Sequence, residues 1–68
     1  LLMSRKPDFQ FANHGSVCLL TPLTDRATAW ADEHLGGEVM TFGHAIVVEP
    51  RYAGEIIRGI QLDGLTVK

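Results

Sequence analysis

The sequence predicts a small two-layer domain of the α+β or α/β class with the element order ββαβαβ. Three observations predict it: short apolar runs rich in β-branched residues, segments of helical periodicity between them, and glycine or proline at the junctions. With 68 residues the chain has room for a single domain. Residues 1–8 are expected to form a flexible N-terminal arm, and residues 9–68 the domain.

The first two predicted strands form a hairpin. Residues 9–12 alternate apolar and polar side chains, as a half-buried strand does, whereas residues 17–20 are apolar at four consecutive positions, which is typical of an interior strand. Between them, Asn13 and Gly15 tolerate the positive φ that a hairpin turn requires. Two antiparallel strands are therefore expected at the start of the domain.

The first helix is predicted to begin after Thr24, whose hydroxyl suits the N-cap position. Apolar side chains and one histidine then recur with a helical period, and Gly36 follows as a stop signal. The members of this stripe are Ala27, Trp30, Ala31, His34 and Leu35. Residues 38–44 are less regular, because Gly43 interrupts their apolar pattern, and are interpreted as either a packed loop or a short extended lead-in to the third strand.

The predicted third strand and second helix follow each other with almost no residues between them. Ala45–Val48 is wholly apolar, and Pro50 suits the first turn of a helix because its missing N–H is not needed there. The apolar stripe of that helix consists of Tyr52, Ala53, Ile56, Ile57 and Ile60. Gly64 is expected to end the helix in a left-handed conformation, and residues 65–67 start a fourth extended run.

These elements predict a four-stranded mixed sheet with both helices on one face. Two successive strand–helix–strand units would each cross over in the right-handed sense and make the last three strands parallel, with the first strand antiparallel at an edge. Such a sheet leaves its other face uncovered. That face or an edge strand is the expected surface for self-association, which would also reinforce so small a core.

The composition of the chain argues against several classes of function. The formal net charge is −2, and the six Lys and Arg are scattered, which argues against nucleic-acid binding. No apolar run approaches the roughly 20 residues of a membrane span. Cys18 is the single cysteine and lies in an apolar run, so a buried thiol in a reducing, cytoplasmic compartment is expected.

No residue pattern identifies a catalytic or metal site. His14 and Ser16 lie two residues apart, but they lack the strand-to-helix elbow of a nucleophilic serine and an evident third member. His14, His34, His44 and Cys18 are suitable zinc ligands by type, yet their spacing lacks the close pairs of structural zinc sites. His34 is more simply a helix-end or core histidine bonded to a carbonyl. We therefore predict no catalytic residue, no metal and no cofactor.

Four residues remain candidates for an interaction or ligand site: His14, Trp30, Glu49 and Arg51. Glu49 and Arg51 lie just beyond the carboxyl end of a predicted strand, where ligands often bind in open α/β sheets. The plainer interpretation is a solvated helix face with an ion pair between Arg51 and Glu55. Trp30 lies on the buried stripe of its helix, so it belongs either to the core or to an interface.

The whole chain from Phe9 onward carries a resemblance to a group of proteins of about this length. NHGSVCLLTPLT (residues 13–24) and FGHAIVVEPRYAGEIIRGIQLDGL (residues 42–65), with the helix from Trp30 to Leu35, resemble short uncharacterised bacterial proteins, some of them carried by phages or other mobile elements. The resemblance implies a small accessory or regulatory protein and no particular activity.

The sequence thus favours a cytoplasmic, non-enzymatic module that acts through protein–protein contact and forms a homo-oligomer, with no nucleic-acid or membrane partner. The alternative is a small enzyme or ligand-binding domain with its site near His14, Glu49 and Arg51.

Overall fold

A computed structural model of the chain describes residues 6–36 and 40–68. They form a four-stranded sheet and two helices, a small α+β architecture. The strands are β1 (Phe9–Asn13), β2 (Cys18–Pro22), β3 (Thr41–Phe42) and β4 (Ala45–Val48), and the helices are α1 (Asp25–Leu35) and α2 (Pro50–Leu62). The first hairpin, both helices and the strand at Ala45–Val48 were predicted correctly, although β2 begins one residue later than expected.

The sheet has the order β1-β2-β4-β3, and every neighbouring pair in it is antiparallel. The predicted ββαβαβ order, mixed sheet and parallel last three strands are therefore wrong. The cause is a tight turn at Gly43 and His44, which folds β3 back onto β4 and pairs Phe42 with Ala45. Gly43 takes a positive φ of 64° at the first central position, as a two-residue hairpin turn favours.

The segment expected to form the last strand makes one isolated parallel bridge, between Phe9 and Val67. The amide of Phe9 donates to the carbonyl of Thr66 at 2.9 Å, and the amide of Lys68 donates to the carbonyl of Phe9 at 2.9 Å. Gly64, at φ 85°, ends α2 in the left-handed conformation that the sequence predicted. The C-terminal residues thus lie along the outer edge of β1.

The described elements form two ββα units, β1-β2-α1 and β3-β4-α2. The second strands of the two units pair with each other at the centre of the sheet, and the first strands lie outside them, so the strand order has a pseudo-twofold arrangement. Each helix follows a central strand. As a result, both hairpins contribute to one sheet and both helices pack against the same core.

One face of the sheet forms this core. Cross-strand pairing aligns Leu20 with Ile46 and Cys18 with Val48, and all four side chains are buried against residues of both helices. From α1 the core includes Ala27, Trp30 and Ala31, and from α2 it includes Ala53 and Ile60. Cys18 is a free, buried thiol, as the sequence predicted.

Candidate interaction surface

His14 and Glu49 lie at the same end of the sheet. His14 is in the β1–β2 turn, where its amide donates to the carbonyl of Val17 at 2.9 Å, and Glu49 directly follows β4. Asn13 pairs with Cys18, and Cys18 pairs with Val48. The last residues of β1 and β4 therefore lie at the same end of the sheet. They are two strands apart, roughly 10 Å, and no hydrogen bond or ion pair joins them within the described residues.

Arg51 pairs with Glu49, so the predicted ion pair with Glu55 is wrong. Its Nε donates to Glu49 Oε1 at 2.9 Å, and its guanidinium carbon lies 4.9 Å from the centroid of the Tyr52 ring. All three residues are exposed at the start of α2. An exposed pair of this kind contributes little to the stability of the fold, typically about 0.2–1 kcal/mol. Because both side chains are exposed, they are available for contacts with another molecule.

An apolar groove of about 290 Å³ opens beside this pair. It lies where the C-terminal end of α1, the start of α2 and strand β4 meet, and Glu49 and Tyr52 form its polar part. Aliphatic side chains provide most of the rest. The lining residues are Leu35, Met40, Ile46, Val47, Val48, Glu49, Tyr52 and Ile56.

The sheet face opposite the core, here called the outer face, carries no charged side chain. Strand alternation and the pairing register assign seven positions to it. None of the seven belongs to the core cluster that the strands form with the helices. They are Gln10, Ala12, Leu19, Thr21, Phe42, Ala45 and Val47. Five of these are apolar; of them Ala45 is buried, and Val47 also lines the groove beside α2.

Among the residues that the structure describes, nothing protects the edge of the sheet at β3 either. Met40 is 69% exposed and Phe42 is 72% exposed, and residues 40–48 contain no Asp, Glu, Lys or Arg. Natural proteins usually place charges, proline or a bulge on a free edge strand to prevent unwanted pairing. The outer face and the β3 edge adjoin at Phe42, so together they make one continuous apolar surface.

Trp30 belongs to the core and lies away from this surface. It is 9% exposed, and its ring meets that of Phe9 edge-to-face at 5.9 Å. Its Nε1 donates to Asp63 Oδ2 at 2.7 Å, next to the C-terminal end of α2. Glu49 and Arg51 lie at the opposite end of that helix, so the structure does not bring Trp30 together with the other candidate residues.

His34 is bonded to a carbonyl at the end of its helix, as the sequence predicted. Its Nδ1 lies 3.0 Å from the carbonyl oxygen of Trp30, and its ring stacks on the Trp30 indole with the centroids 4.2 Å apart. Across the described ranges, no group of three or more His, Cys, Asp or Glu is placed to hold a metal ion. The sequence prediction of no metal and no cofactor stays a prediction.

Asp8 is the polar residue that the sequence analysis missed. It was assigned to the arm, but it is 3% exposed, and its carboxylate accepts from three residues. Thr24 Oγ1 donates at 2.7 Å, Arg26 donates from Nε at 3.0 Å and from Nη2 at 2.9 Å, and the Thr66 amide donates at 3.0 Å. The Arg26 hydrogen bonds hold the pKa of Asp8 well below its usual range, against the opposing effect of burial.

This carboxylate joins the segment before β1, the start of α1 and the C-terminal segment. No described side-chain polar atom that is fully buried lacks a hydrogen-bond partner, so the arrangement is satisfied internally. Such a site stabilises the fold and leaves no free acid or base. The only signal in the sequence was an aspartate directly before a strand, and this gives no indication of partners 16 to 58 residues away.

The sequence matches no protein-family model, and comparison with curated proteins and with solved structures gave no significant match. The resemblance to short bacterial and phage-borne proteins therefore stays a prediction. Within the described residues no helix combines the length and apolarity needed to cross a membrane.

Proposed function

We propose that the chain is a small, non-enzymatic protein-interaction module that self-associates through the outer face of its sheet. The observation that carries the proposal is the absence of charge on that face together with its apolar character. Apolar patches that a domain leaves uncovered commonly mark protein–protein contacts. The central pair Leu19 and Val47 lies on β2 and β4, the two interior strands, so it would be the middle of the contact.

A second copy is the partner that this face fits best. In a twofold contact each patch meets itself, so any charge would face a like charge near the axis, and this face has none. Its mostly apolar side chains also suit sheet-on-sheet packing at about 10 Å. Four strands of at most five residues give a face roughly 19 Å wide and 17 Å long, about 320 Å², which is small against the ~800 Å² per partner of a standard interface. We therefore expect a dimer that dissociates on dilution.

Sedimentation equilibrium over a dilution series tests the proposal. We expect the mass to fall from dimer to monomer across micromolar concentrations, and Leu19→Lys to raise the dissociation constant at least about tenfold because a buried cation costs well over 1.4 kcal/mol. Leu62→Lys is the matched control, since Leu62 is 76% exposed at the end of α2 and off the face. A wild-type chain that stays monomeric at millimolar concentration would contradict the proposal.

A second candidate is ligand binding in the groove beside Glu49, Arg51 and Tyr52. It keeps the Glu49 and Arg51 end of the alternative site, but His14 does not line the groove. The groove itself favours it, because mostly apolar concavities with a few polar groups are typical ligand sites. Titration of 3-methylbutan-1-ol into ¹⁵N-labelled protein should shift the amides of Leu35 and Ile56, and His14→Ala should leave these shifts unchanged. Shifts spread evenly over the chain would contradict a built site.

We further place the module in a bacterial cytoplasm, as an accessory or regulatory protein that also engages a larger protein partner. The reduced, buried Cys18 and the resemblance described above support this. Affinity capture from a bacterial lysate, followed by sizing with light scattering, would identify such a partner and its stoichiometry. A homo-oligomer with nothing attached would restrict the function to self-association.

A further inference from the structure

The two edges of the sheet differ in how far the chain covers them. Along β1, the Phe9 amide donates to the carbonyl of Thr66 at 2.9 Å, and the Phe11 amide donates to the carbonyl of Lys68 at 3.0 Å. The Lys68 amide donates back to the carbonyl of Phe9 at 2.9 Å. At the other edge, no described residue pairs with the outward side of β3. The described sheet therefore has one edge open to a further strand.

The register of the β3–β4 hairpin determines which backbone groups this open edge presents. In an antiparallel pair, residues that bond to the neighbouring strand alternate with residues whose N–H and C=O point away from it. Phe42 pairs with Ala45 across the two-residue turn. The Val47 amide donates to the carbonyl of Met40 at 2.9 Å, so positions 40 and 42 are the ones that bond to β4. Thr41 lies between them, and its amide and carbonyl therefore point to the open edge.

We propose that β3 pairs antiparallel with β3 of a second copy, with Thr41 on the twofold axis. Each Thr41 amide then donates to the Thr41 carbonyl of the other copy. The same register places Met40 opposite Phe42 of the other copy, on the side of the outer face. These two side chains are 69% and 72% exposed in the single chain. A thioether against an aromatic ring is a favourable cross-strand contact, so the pairing covers both.

Three features of the chain favour a second copy as the occupant of this edge. Residues 40–48 contain no Asp, Glu, Lys or Arg, so a twofold contact here brings no like charges together. A second copy also supplies both members of the Met40–Phe42 contact. Because the C-terminal segment already lies along β1, the pairing closes after two copies and does not extend into a filament.

The area of the outer face supports the same conclusion, and this step rests on the proposed function. One outer face offers about 320 Å², under half of the ~800 Å² per partner of a standard interface. Pairing at β3 places two outer faces side by side on one continuous sheet, roughly 640 Å². Two such sheets packed face to face form a tetramer with perpendicular twofold axes. The edge contact thus brings the face contact close to the usual size.

Sedimentation equilibrium extended to millimolar concentration tests the edge contact. We expect the wild-type mass to pass that of the dimer and approach that of the tetramer. Thr41→Pro removes the outward N–H but no hydrogen bond to β4, and edge strands tolerate proline. It should raise the dissociation constant of tetramer into dimers at least about tenfold, because four hydrogen bonds are lost over the two edge contacts. Thr41→Val, which keeps the N–H, is the matched control and should form the tetramer.

Disulfide formation between two single variants tests the register without relying on the outer face. Met40→Cys and Phe42→Cys, mixed in equal amounts under glutathione disulfide, place their Cα atoms about 4.5 Å apart across the axis, within reach of a disulfide. Two cysteines at the same position are offset by roughly 7 Å along the strand and are out of reach. The mixed disulfide should exceed the two symmetric ones together at least about threefold, also when both variants carry Leu19→Lys.

The two experiments separate the edge contact from the face contact. A wild type that stops at the dimer, or a Thr41→Pro variant with the wild-type tetramer, overturns the edge contact and leaves the outer-face dimer standing. Equal amounts of mixed and symmetric disulfides, the result of random collision, overturn it as well. An excess of the mixed disulfide together with a wild type that stays monomeric on dilution from millimolar concentration supports the edge contact and contradicts the face contact alone.

Discussion

At the scale of single residues, Asp8 decides how the two ends of the described chain are held together. When the chain folds, this carboxylate loses its hydrogen bonds to water and accepts hydrogen bonds from Thr24, Arg26 and Thr66 instead. The hydrogen bonds from Arg26 are charge-assisted. The pKa of Asp8 is therefore lower in the folded chain than in the unfolded one. This stabilisation is fully present above the unfolded pKa near 4 and is lost as the pH falls below it.

Replacing Asp8 with Asn should destabilise the domain by about 2 kcal/mol at pH 7, because the Arg26 and Thr66 donors lose a carboxylate acceptor. It should also flatten the loss of stability between pH 5 and about pH 2, which Asp8 causes in the wild type. Urea unfolding at a series of pH values measures both effects. Asp32→Asn, at an exposed position of α1, is the control and should change neither; an equal effect there would show that the acid response is not specific to Asp8.

Local residue signals predicted the caps and missed this network. Thr24 caps α1 by accepting from the Ala27 amide at 3.1 Å, as expected from a threonine before a helical period, and Gly64 takes the expected positive φ. Those rules involve neighbours within four residues. The Asp8 contacts reach 16, 18 and 58 residues along the chain, and only the folded topology brings these partners together.

At the scale of elements, the β3–β4 hairpin determines the topology and depends on Gly43. A Cβ at Gly43 would meet no atom within 4 Å, so the cost of Gly43→Ala is that of its φ of 64° alone. We expect a destabilisation of about 1–2 kcal/mol, the cost of a left-handed conformation for an L-residue. Gly54→Ala, in the interior of α2 with equally open space, should instead stabilise by about 0.5–1 kcal/mol.

The two alanine substitutions are expected to change the free energy of unfolding in opposite directions. Both remove a glycine and add one methyl group into open space, so thermal or urea unfolding compares backbone conformation alone. A destabilising Gly54→Ala, or a neutral Gly43→Ala, would contradict the assigned conformations. The same hairpin explains why the strand directions were not predictable: β3 has only two residues, Thr41 and Phe42, too few to show an alternating pattern.

At the scale of the whole molecule, the two ββα units bury one face of the sheet, and the other face is where we propose that a second copy binds. The sequence predicted that β2 and β4 are interior strands, because Leu20, Ile46 and Val48 lie in wholly apolar runs, but such runs do not alternate and so do not show which face is buried. It did not identify Leu19 and Val47 as the opposite face. That assignment needs the antiparallel register of β2 and β4, which pairs these two residues across the centre of the sheet.

Self-association of the folded chain should make its thermal stability depend on concentration, because a dimer that forms only from folded subunits shifts the unfolding equilibrium by mass action. Above the dissociation constant, a tenfold rise in protein concentration should raise Tm by roughly 3–6 °C for a domain of this size. Leu19→Lys should abolish this dependence, and Leu62→Lys should preserve it. A Tm independent of concentration in the wild type, at concentrations where sedimentation shows a dimer, would mean that the contact survives unfolding and does not require the outer face.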